Sequence, residues 1–207
     1  AIGYGAFSNL TQADDSVAIG YYAGLNITTG EANICIGSGS LDVATTAHYN
    51  VSIGTNAMGA VQAGQAITEV IAIGHDAAYG GGSTTTGIDG TVAIGKEALK
   101  ALTTGANNIA IGSLSGRAIT SGGQNVFVGE DTGRDLVTGV NNLAIGVSAF
   151  DAAGAVESYN ISIGGNSMGA WDEGTEGGSA QVDHNIAIGY NAFLGGDCGG
   201  GSEVAVG

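Results

Sequence analysis

The side chains best suited to chemistry in this chain are carboxylates, and they occur in small groups. These groups are Asp14-Asp15, Glu130-Asp131, and Asp172-Glu173 with Glu176. Carboxylates grouped in this way could bind a hard cation, or act as a pair on a glycosidic bond. We interpret them instead as solvated charge on loops.

The three histidines, His48, His75 and His184, stand far apart in the chain. Two have an acidic neighbour, in His75-Asp76 and Asp183-His184, but adjacent residues on a strand or turn are expected to point apart and offer no third ligand. No Ser or Cys lies in the motif of a known nucleophile. The sequence therefore predicts no catalytic residue, no metal site and no cofactor, and we expect that the protein is not an enzyme.

Composition restricts the partners. The 207 residues include 40 Gly and no Pro, and carry four basic against nineteen acidic residues, a formal charge of −15. Such a field repels phosphate and anionic lipid, so we expect no nucleic-acid partner. No apolar run reaches the roughly 18 residues of a membrane helix, so we expect no direct membrane insertion.

An internal repeat determines where the carboxylates and histidines lie in the fold. A tripeptide ending in Ile-Gly or Val-Gly occurs twelve times, and we call its last residue the key glycine. The key glycines are residues 3, 20, 37, 54, 74, 95, 112, 129, 146, 164, 189 and 207, in steps of 17, 17, 17, 20, 21, 17, 17, 17, 18, 25 and 18. The base period is 17 residues, and the longer steps predict inserted loops.

The residues before each key glycine predict a short strand. Large β-branched residues alternate with one small residue, as in Asn108-Ile109-Ala110-Ile111. We expect one strand face to fill the coil, and the small residues to suit close approach of another chain. A small residue three after the key glycine, often followed by a large one such as Met58, predicts a second short strand or an inward corner.

One repeat cannot fold alone, because burial of about three large side chains offsets only part of the backbone entropy of 17 residues. Stacking the repeats in register lets each apolar layer be shared with its neighbours. The sequence therefore predicts an all-β fold, a parallel β-solenoid of about twelve 17-residue coils. We expect residues 1–207 to be a single solenoid within a longer fibrous protein.

Two further features follow from the stacking. The asparagines four residues before the key glycine are predicted to form an amide ladder along the stack. A second set of glycines, seven residues before the key glycine, predicts a turn with positive φ. The ladder residues are Asn33, Asn50, Asn108, Asn125, Asn142, Asn160 and Asn185, and the turn glycines are Gly30, Gly105, Gly122 and Gly139.

Residues 16–23 (Ser-Val-Ala-Ile-Gly-Tyr-Tyr-Ala) and residues 185–193 resemble the head repeats of YadA-like trimeric autotransporter adhesins, and similar repeats occur in phage tail fibres. The resemblance covers essentially the whole chain. The coil is longer than in the adhesin heads, which favours the tail-fibre repeats. The resemblance implies a left-handed β-roll, assembly into a homotrimer or fibre, and an extracellular location on a cell surface or virion tail.

We therefore expect a structural and adhesive segment of an extracellular fibre, with loops that bind a host-surface glycan or protein receptor. The longest insertion carries the only tryptophan, and we predict a receptor-contact loop at Trp171, Asp172, Glu173 and Glu176. Trp171 could instead cover the edge of a coil. The alternatives are a passive filament or spacer without ligand binding, and a polysaccharide-active β-solenoid.

Overall fold

The computed structural model describes residues 1–12, 14–61, 66–81, 85–151, 156–169, 183–193 and 203–207. Within these residues the chain forms thirteen short strands and no helix. The strands are β1 (Val17–Ile19), β2 (Ile34–Ile36), β3 (Thr46–His48), β4 (Val51–Ile53), β5 (Ala66–Thr68), β6 (Ile71–Ile73), β7 (Val92–Ile94), β8 (Ile109–Ile111), β9 (Val126–Val128), β10 (Leu143–Ile145), β11 (Ile161–Ile163), β12 (Ile186–Ile188) and β13 (Val204–Val206).

Eleven strands form one parallel sheet in the order β1-β2-β4-β6-β7-β8-β9-β10-β11-β12-β13, and β3 pairs in parallel with β5 in a second sheet. Equivalent positions of the repeat lie side by side, so that Ala93 of β7 is opposite Ala110 of β8. The predicted all-β parallel β-solenoid is confirmed.

The solenoid has about nine turns, so the prediction of twelve was too high. Twelve copies of the motif delimit only eleven intervals. The last two intervals, after Gly164 and Gly189, contain residues 170–182 and 194–202, which lie outside the described residues. Counting motifs therefore overestimated the number of turns.

The strand faces are oriented opposite to the expectation. Except in β9, the middle residue of each strand from β1 to β12 in the large sheet is small, such as Ala93 or Ala110, and is fully buried inside the coil, whereas its two large neighbours point outward. The interior beside the strand is already filled by large residues from other parts of the coil, such as Leu99 and Ile119. Only a small side chain fits between them and the strand, because protein interiors are close-packed.

The exception to small middle residues supports this explanation. Phe127 is the one aromatic residue at the middle position, and it is fully buried in β9. Gly116 and Gly133 occupy the corner positions beside it, where most other coils carry Leu, Met or Phe. A Cβ atom on Gly133 would lie 2.8 Å from the Phe127 ring, so a large residue in the strand is matched by a missing side chain at the corner.

The segment after each key glycine is an inward corner and not a second strand. Met58 and Leu99 are fully buried there and have left-handed backbone conformations, with φ of 52° and 49°. Positive φ is uncommon for such residues, so burial of the side chain must stabilise the corner against the local preference.

The turn glycines are required mainly by close packing. Of the four, Gly30 has the predicted positive φ, at 150°, and the other three do not have one. A side chain on Gly105 would instead overlap the carbonyl oxygen of Gly122 in the next coil, and Gly122 stands in the same relation to Gly139. These glycines allow successive coils to approach each other.

The amide ladder is confirmed, and its members are buried. It forms two runs. In the first, Asn50 Nδ2 donates to Asn33 Oδ1 at 3.0 Å. In the second, which extends from Asn108 to Asn185, neighbouring amides are joined by hydrogen bonds of 3.0 to 3.3 Å. Val70 and Thr91 take the ladder position between the two runs and interrupt it.

Cys35 takes the small middle position in β2 and gives a chemical test of which face is buried. It is a free cysteine, and burial raises the pKa of its thiol to about 12. Because the thiolate is the reactive form, we expect Cys35 to resist thiol reagents at about pH 8 in the folded protein. Cys198 lies outside the described residues.

The measurement uses a Cys198→Ser variant and an aromatic disulfide reagent. The native variant is expected to release almost no chromophore, and the urea-unfolded variant is expected to release about one equivalent. A Cys35→Ser variant, labelled in parallel, reports the behaviour of Cys198 alone. Rapid labelling of native Cys35 would contradict the orientation of the strand.

Candidate functional surfaces

The outward side chains of the eleven-stranded sheet form a continuous apolar surface, which we call the outer face. Each strand contributes its first and third residue, such as Ile109 and Ile111 of β8. All 22 of these positions are Ile, Val or Leu, and none is polar. At about 4.8 Å between strands, the face is about 48 Å long.

Solvated strand faces usually carry polar residues, so an unbroken apolar face of this length is unusual for a wall exposed to water. The side chains partly shield each other, and Ile111 keeps an exposed fraction of 38%. The alternation of large and small residues in the sequence showed that the two faces of each strand differ. It did not show which face points outward.

A tyrosine cluster lies beside the outer face at its β1 end. Tyr4 and Tyr21 each directly follow a key glycine and therefore stack in adjacent coils. Their ring centroids are 5.6 Å apart and their planes differ by 15°. Tyr22 contacts both rings, with centroid distances of 4.1 Å to Tyr21 and 5.6 Å to Tyr4. Hydrogen bonding to Tyr21 raises the pKa of Tyr22, so the polar ends of these rings lie close together.

Three of the four basic residues form a column on consecutive coils. Lys100, Arg117 and Arg134 each stand five residues after a key glycine. Partial burial opposes ionisation of Asp76, but hydrogen bonding and charge from Lys100 hold the pKa of Asp76 below its usual range. Each cation has an acidic partner, so we interpret the column as a structural ion-pair network. The shortest pairs are Lys100–Asp76 (3.0 Å), Arg117–Glu97 (2.9 Å) and Arg134–Asp135 (2.9 Å).

An open groove of about 670 Å³ lies beside β3 and includes Asp14, Glu31 and His48 from three successive coils. Glu31 accepts a hydrogen bond from the Tyr49 hydroxyl at 2.8 Å. Among the described residues, no group of three or more His, Cys, Asp or Glu side chains could hold a metal ion. The groove contains Asp14 from the predicted acidic pair Asp14-Asp15. We assign no reaction and no ligand to it.

The expectation that adjacent histidine and acid point apart is wrong for one of the two pairs. His75 Nδ1 lies 3.6 Å from Asp76 Oδ2. Asp76 has a φ of 54°, and this left-handed turn brings its side chain back towards the histidine. In the other pair, Asp183 Oδ1 accepts from the Ser158 amide at 2.7 Å, whereas the His184 ring stacks on Tyr159 at 5.0 Å.

The remaining predicted residues are not brought together. Asp131 Oδ1 lies 3.9 Å from Arg134, and its neighbour Glu130 is exposed. The predicted receptor-contact loop of Trp171, Asp172, Glu173 and Glu176 falls within residues 170–182, outside the described residues. The surface groups that sequence reasoning missed are the tyrosines, although the equal offset of Tyr4 and Tyr21 from their key glycines was a usable signal.

Comparisons of the chain with protein-family models, with curated proteins and with solved structures find no match. In the part of the chain described by the structure, no helix is long and apolar enough to cross a membrane.

Proposed function

We propose that this chain is a structural and adhesive segment of an extracellular fibre, assembled from copies of itself through the outer face. The observation that carries the proposal is the absence of any polar residue at the 22 outward positions of the sheet. A wall exposed to water along its full length would tolerate polar residues at many of these positions.

Self-association explains both the composition and the length of the face. An identical chain presents an equally long and equally apolar wall, so two or three copies in parallel can cover each other from end to end. Three copies around a common axis form a closed assembly with no apolar wall left uncovered. The homotrimer is therefore the arrangement we favour.

The adhesive part of the proposal rests on the irregular repeats and on the resemblance to adhesin and tail-fibre repeats. A regular wall supports loops that project from it, and projecting loops are where binding residues concentrate. We propose a host-surface glycan or protein as the receptor, and a cell surface or virion tail as the location. A passive spacer is the second candidate, since a regular rod of stacked coils can maintain a distance without binding anything.

Two charges introduced by substitution on the outer face test the assembly. We expect the double variant Ile111→Lys, Ile145→Lys to sediment as a monomer where the parent sediments as an oligomer, because burying two unpaired ammonium groups costs several kcal/mol. Analytical ultracentrifugation, at the same series of concentrations for each protein, measures the mass.

The double variant Thr104→Lys, Thr138→Lys is the matched control. Thr104 and Thr138 are exposed and stand at the repeat position of Thr46, on the wall of β3. The control adds the same two charges elsewhere, at the same spacing, and should leave the oligomer intact. A parent chain that is monomeric at all concentrations would refute the assembly, and an assembled parent that binds no cells would favour the passive spacer.

A further inference from the structure

The tyrosine cluster of Tyr4, Tyr21 and Tyr22 is a rigid platform, not a set of loose side chains. The Tyr22 amide donates to the carbonyl of Tyr4 at 2.9 Å, which ties the two coils together at this point. Gly5 leaves room for the Tyr22 ring, because a Cβ atom there would lie 2.5 Å from the ring atom Cε1. The rings therefore rest on the wall of the solenoid.

The cluster is also accessible. The exposed fractions of Tyr4 and Tyr21 are 72% and 53%, which is high for aromatic residues that contact other rings. Tyrosine offers a flat apolar ring together with a hydroxyl group, and it loses little conformational entropy on binding. An exposed group of three tyrosines in mutual contact has the properties of a binding surface.

The geometry excludes an aromatic cage for a cation. A cation binds over a ring face at up to about 6 Å from the centroid, and a cage needs that space between its rings. The centroids here are separated by only 4.1 to 5.6 Å, so the rings fill the space themselves. A proline-rich peptide likewise needs a groove between aromatic residues, which rings in contact do not provide.

Charge excludes an anionic ligand. All four basic residues, from Lys96 onward, stand at least four coils beyond Tyr21, or about 19 Å along the axis. This distance exceeds the Debye length of about 8 Å at physiological ionic strength. No basic side chain therefore lies close enough to the cluster to pair with a carboxylate, sulfate or phosphate group of a ligand.

We infer that Tyr4, Tyr21 and Tyr22 form a binding platform for a neutral oligosaccharide. A pyranose has one apolar C–H face, which matches the ring faces, and a rim of hydroxyl groups, which matches the phenol hydroxyls. The inference rests on the proposed adhesive function and names its ligand class, and it places recognition on the regular wall in addition to the inserted loops.

The test measures binding of the full 207-residue chain to immobilised pentasaccharides of β-linked glucose, galactose and N-acetylglucosamine, with sialylated and sulfated glycans alongside. We expect at least one neutral pentasaccharide to bind, and Tyr21→Ala to weaken its affinity by about tenfold or more. Tyr21→Phe keeps the ring and should weaken binding less.

Tyr190→Ala is the matched control. Tyr190 also directly follows a key glycine and is 78% exposed, but it contacts no other aromatic ring among the described residues. Its replacement should leave the affinity unchanged.

Three outcomes would overturn the inference: no binding to any neutral glycan, equal weakening by Tyr190→Ala, or binding of acidic glycans alone. Sedimentation of the same samples separates this inference from the proposed function. If Tyr21→Ala lowers the oligomer mass, the tyrosines cover a contact between copies and the inference is wrong. If the parent assembles and binds cells but Tyr21→Ala changes neither glycan nor cell binding, only the platform is refuted.

Discussion

Gly112→Ala is expected to destabilise the protein by more than about 3 kcal/mol, because the added methyl group meets the backbone of the next coil. The added Cβ would overlap the carbonyl oxygen of Gly129 and lie 2.5 Å from its carbonyl carbon. Gly112 also has a φ of 138°, which L-residues rarely adopt. Because the neighbouring backbone belongs to the next coil, relief of the overlap would separate the two coils.

Gly87→Ala separates the effect of the overlap with the next coil from the effect of backbone strain. Gly87 also has a positive φ, of 65°, but the nearest atom to an added Cβ is 3.9 Å away. Backbone strain alone should cost about 1–2 kcal/mol. The measurement is urea unfolding followed by circular dichroism, at one protein concentration since the proposed assembly would contribute to stability. Equal loss of stability in both variants would show that the contact between coils is not tight.

Asn125→Ala is expected to cost about 3–5 kcal/mol, because it removes a fully buried amide from the centre of the ladder. Asn125 Nδ2 donates to Asn108 Oδ1 at 3.1 Å and to the Gly139 carbonyl at 2.9 Å. Its Oδ1 accepts from the amide nitrogen and the side chain of Asn142 at 2.9 and 3.0 Å. Alanine leaves several of these buried groups without a partner.

The control for this prediction is Asn9→Ala. The exposed Asn9 side chain donates one hydrogen bond to Asn26, at 2.9 Å. Water can replace this bond, so the loss should stay within about 1 kcal/mol. The free energy of unfolding in urea measures both variants. If Asn125→Ala costs no more than Asn9→Ala, the ladder does not stabilise the stack.

Most of the fold could be predicted because one pattern recurs through the chain. The key glycines located the strands, and the asparagines at a constant offset located the ladder, since stacked coils place equal offsets in one column. Neither inference needed tertiary information. The same rule would have found the pairing of Tyr4 with Tyr21.

The orientation of the strands could not be predicted from the alternation of large and small residues. Alternation shows only that the two faces differ. Which face is inside depends on what else fills the coil, and that includes Leu99 and Ile119, which lie outside the strands. The left-handed backbone of Met58 or Leu99 also has no local signal, since burial and not intrinsic preference stabilises it.

The candidate site was predicted only in part. The insertion with Trp171 was identified from its length and its single tryptophan. The positions of its side chains could not be inferred, because an insertion has no equivalent residues in the other coils. Loop conformation depends on contacts that the periodic pattern does not encode. The apolar outer face was not predicted, because the small residues of each strand were expected to lie outside and the large ones inside.

The interruption of the amide ladder has a mechanical consequence. When a fibre is pulled along its axis, every junction between coils carries the same tension, and the weakest junction determines the breaking force. At Thr91 the ladder position is occupied by a buried hydroxyl that makes no hydrogen bond, so the coil of Val70 is held there by backbone bonds such as that from the Ile71 amide to the Thr91 carbonyl, at 2.9 Å. Asn108, the next ladder residue, makes no bond to the Thr91 hydroxyl either. Under load, the rod should therefore yield first at one of the two junctions of the Thr91 coil, and the five-asparagine run should stay intact as one block.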